Sequence, residues 1–162
     1  MAKNTTPKTN AMRVLEQRKI AFQTFTYSPD LHSALEVAEI LNVPPEQVYK
    51  TLVVLPESGK GRPMLVMVPG TKEIDLKVFG VSSGEKKVKM ARQVEAEGLT
   101  GLLVGGISAL ALLQKGFRIF IDEDALALDQ IYVNGGQRGL NLCLAATDLI
   151  KVTGATPVKV TD

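Results

Sequence analysis

The sequence predicts an α+β fold, a single domain built on a mixed, largely antiparallel sheet or barrel with flanking helices. Three observations lead there. Strand-like and short helix-like segments follow one another without a regular βαβ alternation. Two pairs of apolar runs are joined by short glycine-containing links, as hairpins are. The 162 residues carry no internal repeat, linker or low-complexity stretch, and their number suits one domain with its own core.

Residues 1–8 are polar and read as a flexible tail, with the domain spanning 9–156. Thr9 caps a first helix through about Arg18, with Ala11, Met12 and Leu15 inward. Residues 20–27 are rich in β-formers and read as a strand ended by Ser28-Pro29-Asp30. Ser33-Ala34-Leu35-Glu36 has the capping-box pattern and opens a helix carrying Leu35, Ala38 and Leu41 toward its stop at Asn42. Pro44-Pro45-Glu46-Gln47 breaks that helix and leads into Val48-Tyr49-Lys50-Thr51-Leu52-Val53-Val54-Leu55, a strand whose two faces both read as buried. The chain turns back through residues 57–62, and residues 63–68 pair with that strand as a hairpin.

Asp75 caps a short helix over residues 76–79, residues 87–90 form a brief strand, and 91–97 form a helix. Met64, Met67 and Met90 read as core filler. Residues 101–104 read as an apolar strand running into Gly105-Gly106-Ile107-Ser108, where a double glycine marks either a close approach of ligand or chain, or a tight turn. Residues 117–121 form a strand, Asp122-Glu123-Asp124 an acidic turn, and 130–133 another strand. A second glycine loop, Asn134-Gly135-Gly136-Gln137-Arg138-Gly139, joins that strand to residues 140–144 as a hairpin or a bulged ligand rim. A last helix starts at Thr147 or the alanines before it, and Gly154 stops it.

The totals exclude several classes of protein. Nineteen Lys plus Arg against 17 Asp plus Glu give +2, a balance that neither demands nor forbids a polyanionic partner. Lys86-Lys87-Val88-Lys89 is the densest cationic stretch, a solvated face or a phosphate contact. The single Cys143 sits in an apolar run as a core thiol, so no disulfide framework exists and nothing points to an oxidising compartment. One histidine, His32, cannot support a histidine-rich metal centre, and neither metal nor cofactor is expected. The N-terminus lacks the apolar core of a secretory signal. The most apolar window, residues 99–113, is broken by three glycines, a threonine and a serine and falls short of a membrane span. A cytoplasmic location is the expectation.

Lys50 stands out inside its apolar strand. It either snorkels to the sheet margin or opens onto a cavity that needs a cation, because an unpaired buried charge is too costly to keep. No Gly-x-Ser-x-Gly elbow, Walker pattern or Gly-x-Gly-x-x-Gly fingerprint is present, so a hydrolytic triad, nucleotide hydrolysis and hydride transfer all lack their usual signatures. What remains is a lysine, two glycine loops with open backbone N–H groups, and a few hydroxyls and amides. That inventory suits an oxyanion or a phosphate better than proton abstraction.

Three blocks occur in order: Gln47-Val48-Tyr49-Lys50-Thr51-Leu52, Leu103-Val104-Gly105-Gly106-Ile107-Ser108, and Ile131-Tyr132-Val133 leading into Gly135-Gly136-Gln137-Arg138-Gly139-Leu140. Their order and approximate spacing resemble the YbaK/EbsC family, over residues 14–154. That family comprises bacterial cysteinyl-tRNA(Pro) deacylases and relatives of the editing domain inserted in prolyl-tRNA synthetase. The resemblance implies the mixed editing-domain fold over residues 9–156, and hydrolysis of the ester joining a wrong amino acid, cysteine first, to tRNA(Pro). The partner would be aminoacylated tRNA(Pro), met through a complex with prolyl-tRNA synthetase. Lys50 matches the family's essential lysine, thought to hold the tRNA acceptor end and the aminoacyl group. Gly105 and Gly106 open the loop whose N–H groups would face the ester carbonyl. Tyr27, Thr51, Ile107, Ser108, Asn134, Arg138 and Asn141 would contact substrate. Family members use the thiol of the bound cysteine, which attacks its own carbonyl and leaves as a thiolactone.

Two departures qualify the pattern. Ala109 stands where the family's first loop commonly carries proline, and Asn134 and Asn141 stand where a serine and an aspartate are common. An amide in place of a carboxylate gives up an acceptor-only group, which bears on amino-group recognition. The alternative is therefore a non-catalytic member of the fold that binds an aminoacyl-RNA end, a nucleotide or a protein; fold alone does not choose between them.

Overall fold

The computed structural model describes residues 8–31 and 33–161. The predicted tail at residues 1–7 and His32 lie outside the described residues, and Lys8, the last residue of that tail, pairs with Glu16 at 3.1 Å. The elements run α1 (Asn10–Gln17), β1 (Gln23–Thr26), α2 (Ala34–Leu41), β2 (Tyr49–Pro56), β3 (Met64–Pro69), α3 (Leu76–Ser83), β4 (Val88–Met90) and α4 (Gln93–Thr100). They continue with β5 (Arg118–Asp122), β6 (Gln130–Asn134), β7 (Leu140–Ala145), α5 (Ala146–Thr153) and β8 (Thr156–Val158).

Local chemistry sets the helix ends where the sequence places them. The Thr9 hydroxyl accepts from the Met12 N–H at 3.2 Å and the Ser33 hydroxyl from the Glu36 N–H at 3.1 Å, so each satisfies a donor orphaned in a first turn. Asp75 caps α3 in the same way, accepting from Lys77 and Val78. At the other end Asn42, Gly84, Gly101 and Gly154 close α2, α3, α4 and α5 in the left-handed conformation.

Two sheets form, neither closed into a barrel. One is antiparallel with the order β1-β7-β6; the other is mixed, β4-β2-β3-β5-β8, antiparallel at β4-β2-β3 and parallel at β3-β5-β8. Both expected hairpins, β2/β3 and β6/β7, are present. The sheets touch through a parallel bridge between Val48 and Tyr132. Leu65, Met67 and Ile121 of the larger sheet pack with Ile131, Val133 and Leu142 of the smaller, and α1, with Ala11, Met12 and Leu15, belongs to the same core. On the far face of the larger sheet Val54, Val66 and Val68 meet Phe79 of α3, and Phe79 stands edge-on to Phe120 at 5.2 Å. Val37 and Ala38 of α2 cover Tyr132 and Cys143 on the outer side of the smaller sheet. Cys143 is thus a core thiol, and burial pushes its pKa up.

Several expectations are corrected. The run at residues 101–104 is not a strand: α4 continues to Thr100, Gly101 caps it, and Leu103 and Val104 sit in an exposed loop. Leu35 is 51% exposed, and Val37 with Ala38 forms the inner face of α2. Met90 lies at the surface, whereas Met64 and Met67 are in the core. β1 covers Gln23–Thr26 alone, because the Ile20 N–H is spent on Leu15 O at the end of α1. α3 extends past Phe79 to Ser83, α4 starts at Gln93, and the acidic turn is a 3-10 turn over Glu123–Ala127 capped by Asp122. β8 is an additional strand.

Candidate active site

β2 pairs with β3 over residues 49–54 but with β4 only over residues 54–56. Beside its unpaired stretch lies a cavity of about 320 Å3, the low end of the range for small-ligand pockets. Residues 48–53 line it in succession. A cavity over one face of a strand would meet alternate residues, so this one runs along the strand edge.

The opposite wall belongs to the smaller sheet and its margins, with Tyr27 just past β1, Asn134 at the end of β6 and Asn141 on β7. Ala34 and Val37 of α2 add apolar surface, and Met90, Ala91, Gln93 and Ala96 close the β4/α4 side. Val104, Gly105 and Ile107 complete the lining from the loop after α4. Lys50 is the one charged side chain among the described lining residues. It is half-buried, lines the cavity and forms no ion pair with a described residue. Among the described residues no group of His, Cys, Asp and Glu is placed to hold a metal ion.

The two glycine loops are stitched together. Asn134 Nδ2 donates to Gly105 O at 2.8 Å and to Gln137 O at 3.1 Å, while Asn134 Oδ1 accepts from the Gly136 N–H. Arg138 Nε donates to Val104 O at 2.8 Å. Gly105 has φ 92°, in the left-handed region that glycine occupies without cost. Its N–H, like that of Ile107, finds no acceptor among the described residues, whereas the Gly106 N–H is taken by Leu103 O at 2.7 Å. Gly106 is instead a packing position: a Cβ there would come within 2.9 Å of Arg138 N and 3.0 Å of the Gln137 backbone.

Asn141 Nδ2 donates to the Tyr27 hydroxyl at 3.3 Å, and Asn141 Oδ1 is buried with no partner among the described residues. Burial pushes the Tyr27 phenol upward, and the Asn141 hydrogen bond offsets part of that. Of the residues singled out in the sequence, the cavity gathers Tyr27, Lys50, Thr51, Gly105, Ile107, Asn134 and Asn141. Gly106, Ser108 and Arg138 stand behind it: the first packs on the second glycine loop, the last bonds Val104 O, and Ser108 is buried with no partner for its hydroxyl among the described residues. Val37, Ala91 and Ala96 line the cavity without having been singled out as site residues. Small or apolar side chains carry no chemical signature, and their role follows only from the strand gap they surround.

A gap in a sheet, one cation and a braced glycine loop with open N–H groups form a small pocket suited to an anion or a polarised carbonyl. Residues 28–152 match the family model described as the aminoacyl-tRNA editing domain, and the chain belongs to that family. More particularly, it is 35% identical over 161 residues, 98% of this chain and 96% of the relative, to a protein of Enterococcus faecalis named "Putative Cys-tRNA(Pro)/Cys-tRNA(Cys) deacylase EbsC". Among solved structures, the hypothetical protein APE2540 superposes with a TM-score of 0.84 at 26% identity, over 94% of this chain and 99% of that one. A structure named "a putative trans-editing enzyme for prolyl tRNA synthetase" shares the fold with a TM-score of 0.81 at 23% identity, over 97% of this chain and 99% of that one.

Proposed function

We propose that the protein is a trans-editing aminoacyl-tRNA deacylase that clears misacylated tRNA(Pro), with Cys-tRNA(Pro) as its main substrate. The observation that carries this reading is the sharing of one cavity by Lys50 and the Gly105 loop. Lys50 holds a phosphate of the acceptor end, since a lone cation without a carboxylate partner is available to an anion. The free N–H groups of Gly105 and Ile107 polarise the ester carbonyl and stabilise the oxyanion that forms from it.

An aminoacyl ester is already activated, so positioning and polarisation carry much of the rate. With a cysteinyl group the substrate thiol, as thiolate, attacks its own carbonyl carbon. The bond to the ribose oxygen then breaks, that oxygen takes a proton, and cysteine leaves as a thiolactone. Association with prolyl-tRNA synthetase would deliver the tRNA, consistent with a net charge of only +2 on the editing chain.

Deacylation of Cys-tRNA(Pro) and Ala-tRNA(Pro) by the wild type and by Lys50→Ala tests the proposal. The wild type should hydrolyse the cysteinyl ester faster than the alanyl ester, and the variant should lose at least about a hundredfold in kcat/KM. Equal slow hydrolysis by both proteins would favour the non-catalytic binding module instead.

A further inference from the structure

The gap along β2 presents main-chain groups of defined direction. The Gly70 N–H donates to Val48 O at 2.8 Å across the β2/β3 side, and the Ala91 N–H donates to Val53 O at 3.0 Å across the β4 side. In an antiparallel ladder both backbone groups of one residue point the same way and successive residues alternate. The even-numbered residues Lys50, Leu52 and Val54 therefore bond to β3, while Tyr49, Thr51 and Val53 point the other way. The Tyr132 bridge occupies that edge at Val48 and Ala91 occupies it at Val53. Between them no strand of the described residues lies beside Thr51, and the cavity does.

We infer that this edge is itself a subsite, in which the aminoacyl group docks opposite Thr51 as a single extended residue added to the sheet. The inference rests on the editing reading and deepens it. An amino acid esterified at its carboxyl keeps an amino group and a carbonyl oxygen on the same side of its extended form, as a residue in a strand does. The amino group donates to Thr51 O, and the ester carbonyl accepts from the Thr51 N–H. This is strand addition reduced to one residue. A carbonyl oxygen has two lone pairs, so the second remains for the Gly105 loop.

The pairing also fixes where the amino-acid side chain goes. Residues directly opposite in an antiparallel pair place their side chains on the same face. The substrate side chain therefore falls on the face of Thr51, which Tyr49 and Val53 share and which Ala96 and Ile107 help to wall. A D-amino acid in the same hydrogen-bonded register would send its side chain to the opposite face, that of Lys50 and Leu52. The edge thus reads main-chain chirality, while Ala96 and Ile107 limit size.

The test uses the full chain, 15N-labelled, titrated with 3′-deoxy-3′-(L-cysteinylamino)adenosine, in which an amide replaces the scissile ester. The Thr51 amide proton should move downfield and exchange at least about tenfold more slowly, while those of Lys50 and Leu52, already bonded to β3, stay in place. The D-cysteinyl probe should bind at least about tenfold more weakly. Thr51→Pro, which removes the N–H at a position where no strand needs it, should weaken the L-probe roughly tenfold. A probe that shifts the Asn141 side-chain amide but leaves the Thr51 amide unmoved overturns the inference alone. No response at any cavity residue overturns it together with the editing reading. The wild-type titration decides the matter even where the proline variant does not fold.

Discussion

Arg138 Nε donates to the carbonyl oxygen of Val104 at 2.8 Å, and this one bond sets the direction of the next N–H along the chain. In a trans, planar peptide the C=O and the following N–H point opposite ways. With Val104 O held toward Arg138, outside the cavity, the Gly105 N–H is turned to the other side. On the proposed function this bond makes Arg138 a residue that positions the Gly105 N–H, where the resemblance implies a substrate contact.

Removing that bond should affect the reaction more than binding. Arg138→Ala is expected to lower kcat about tenfold or more with KM changed less than about threefold, since ground-state contacts stay intact. Steady-state deacylation kinetics with Cys-tRNA(Pro) read the split, and an increase confined to KM would place Arg138 on the substrate instead.

The two glycines of the first loop should fail for different reasons. Gly105→Val puts a branched side chain at φ 92° on the cavity wall and should depress turnover by at least about a hundredfold. Gly106→Ala drives a Cβ against the Gln137 and Arg138 backbone, which cannot swing aside as a side chain does, and should cost about 1–3 kcal/mol of stability. Denaturant melts with parallel rate measurements separate the two; full activity in Gly105→Val would reduce the loop to a turn.

Asn141 should matter to substrate and little to the fold. Its Oδ1 is buried with no partner among the described residues and its Nδ2 donates only to the Tyr27 hydroxyl at 3.3 Å, so a residue of similar shape and no polarity removes a desolvation cost at the loss of one long hydrogen bond. Asn141→Leu is expected to keep stability within about 1 kcal/mol of the wild type while raising KM about tenfold or more. A large loss of stability with normal KM would assign the amide to the fold.

Alkali should unfold the protein through its tyrosines. Tyr27, Tyr49 and Tyr132 all have pKa values raised from 10.0, each mainly by burial, and Tyr49 additionally by the Asp122 and Asp124 carboxylates. A raised value in the folded state means the native chain holds protons that the unfolded chain releases. Their contribution is complete below pH 10.0 and is lost as the pH climbs through the folded-state values. The expected result is phenolate absorbance that appears together with the loss of tertiary structure; early, gradual ionisation of all three would contradict it.

Much of the fold was legible because its signals are local. Thr9, Ser33 and Asp75 cap helices through bonds to residues two or three positions away, and Asn42 and Gly154 end them through their own backbone conformation. Partner choice between distant segments is not local. Nothing in residues 63–68 announces that β3 pairs in parallel with β5 on its other side, and β8 is too short to show a period. Leu103 and Val104 have strand-like composition but follow a glycine cap and pair with no strand among the described residues, so they stay in a loop. At the site, Lys50 and Gly105 were visible because a charge in an apolar run and a glycine pair are anomalies. Ala96 is not anomalous on its helix, and only tertiary packing makes it a wall.

Among the described residues the larger and smaller sheets share one backbone bridge, Val48 to Tyr132, and the cavity opens beside it. One wall is therefore carried by one hydrogen-bonded body and the facing wall by another. The aperture is governed by the angle at which these bodies dock, and on the proposed function this makes the discrimination between acyl groups differing by a few atoms a property of the interior seam. Repacking far from the opening, at Leu65 or Ile131 for instance, can retune selectivity without touching any residue that meets the ligand.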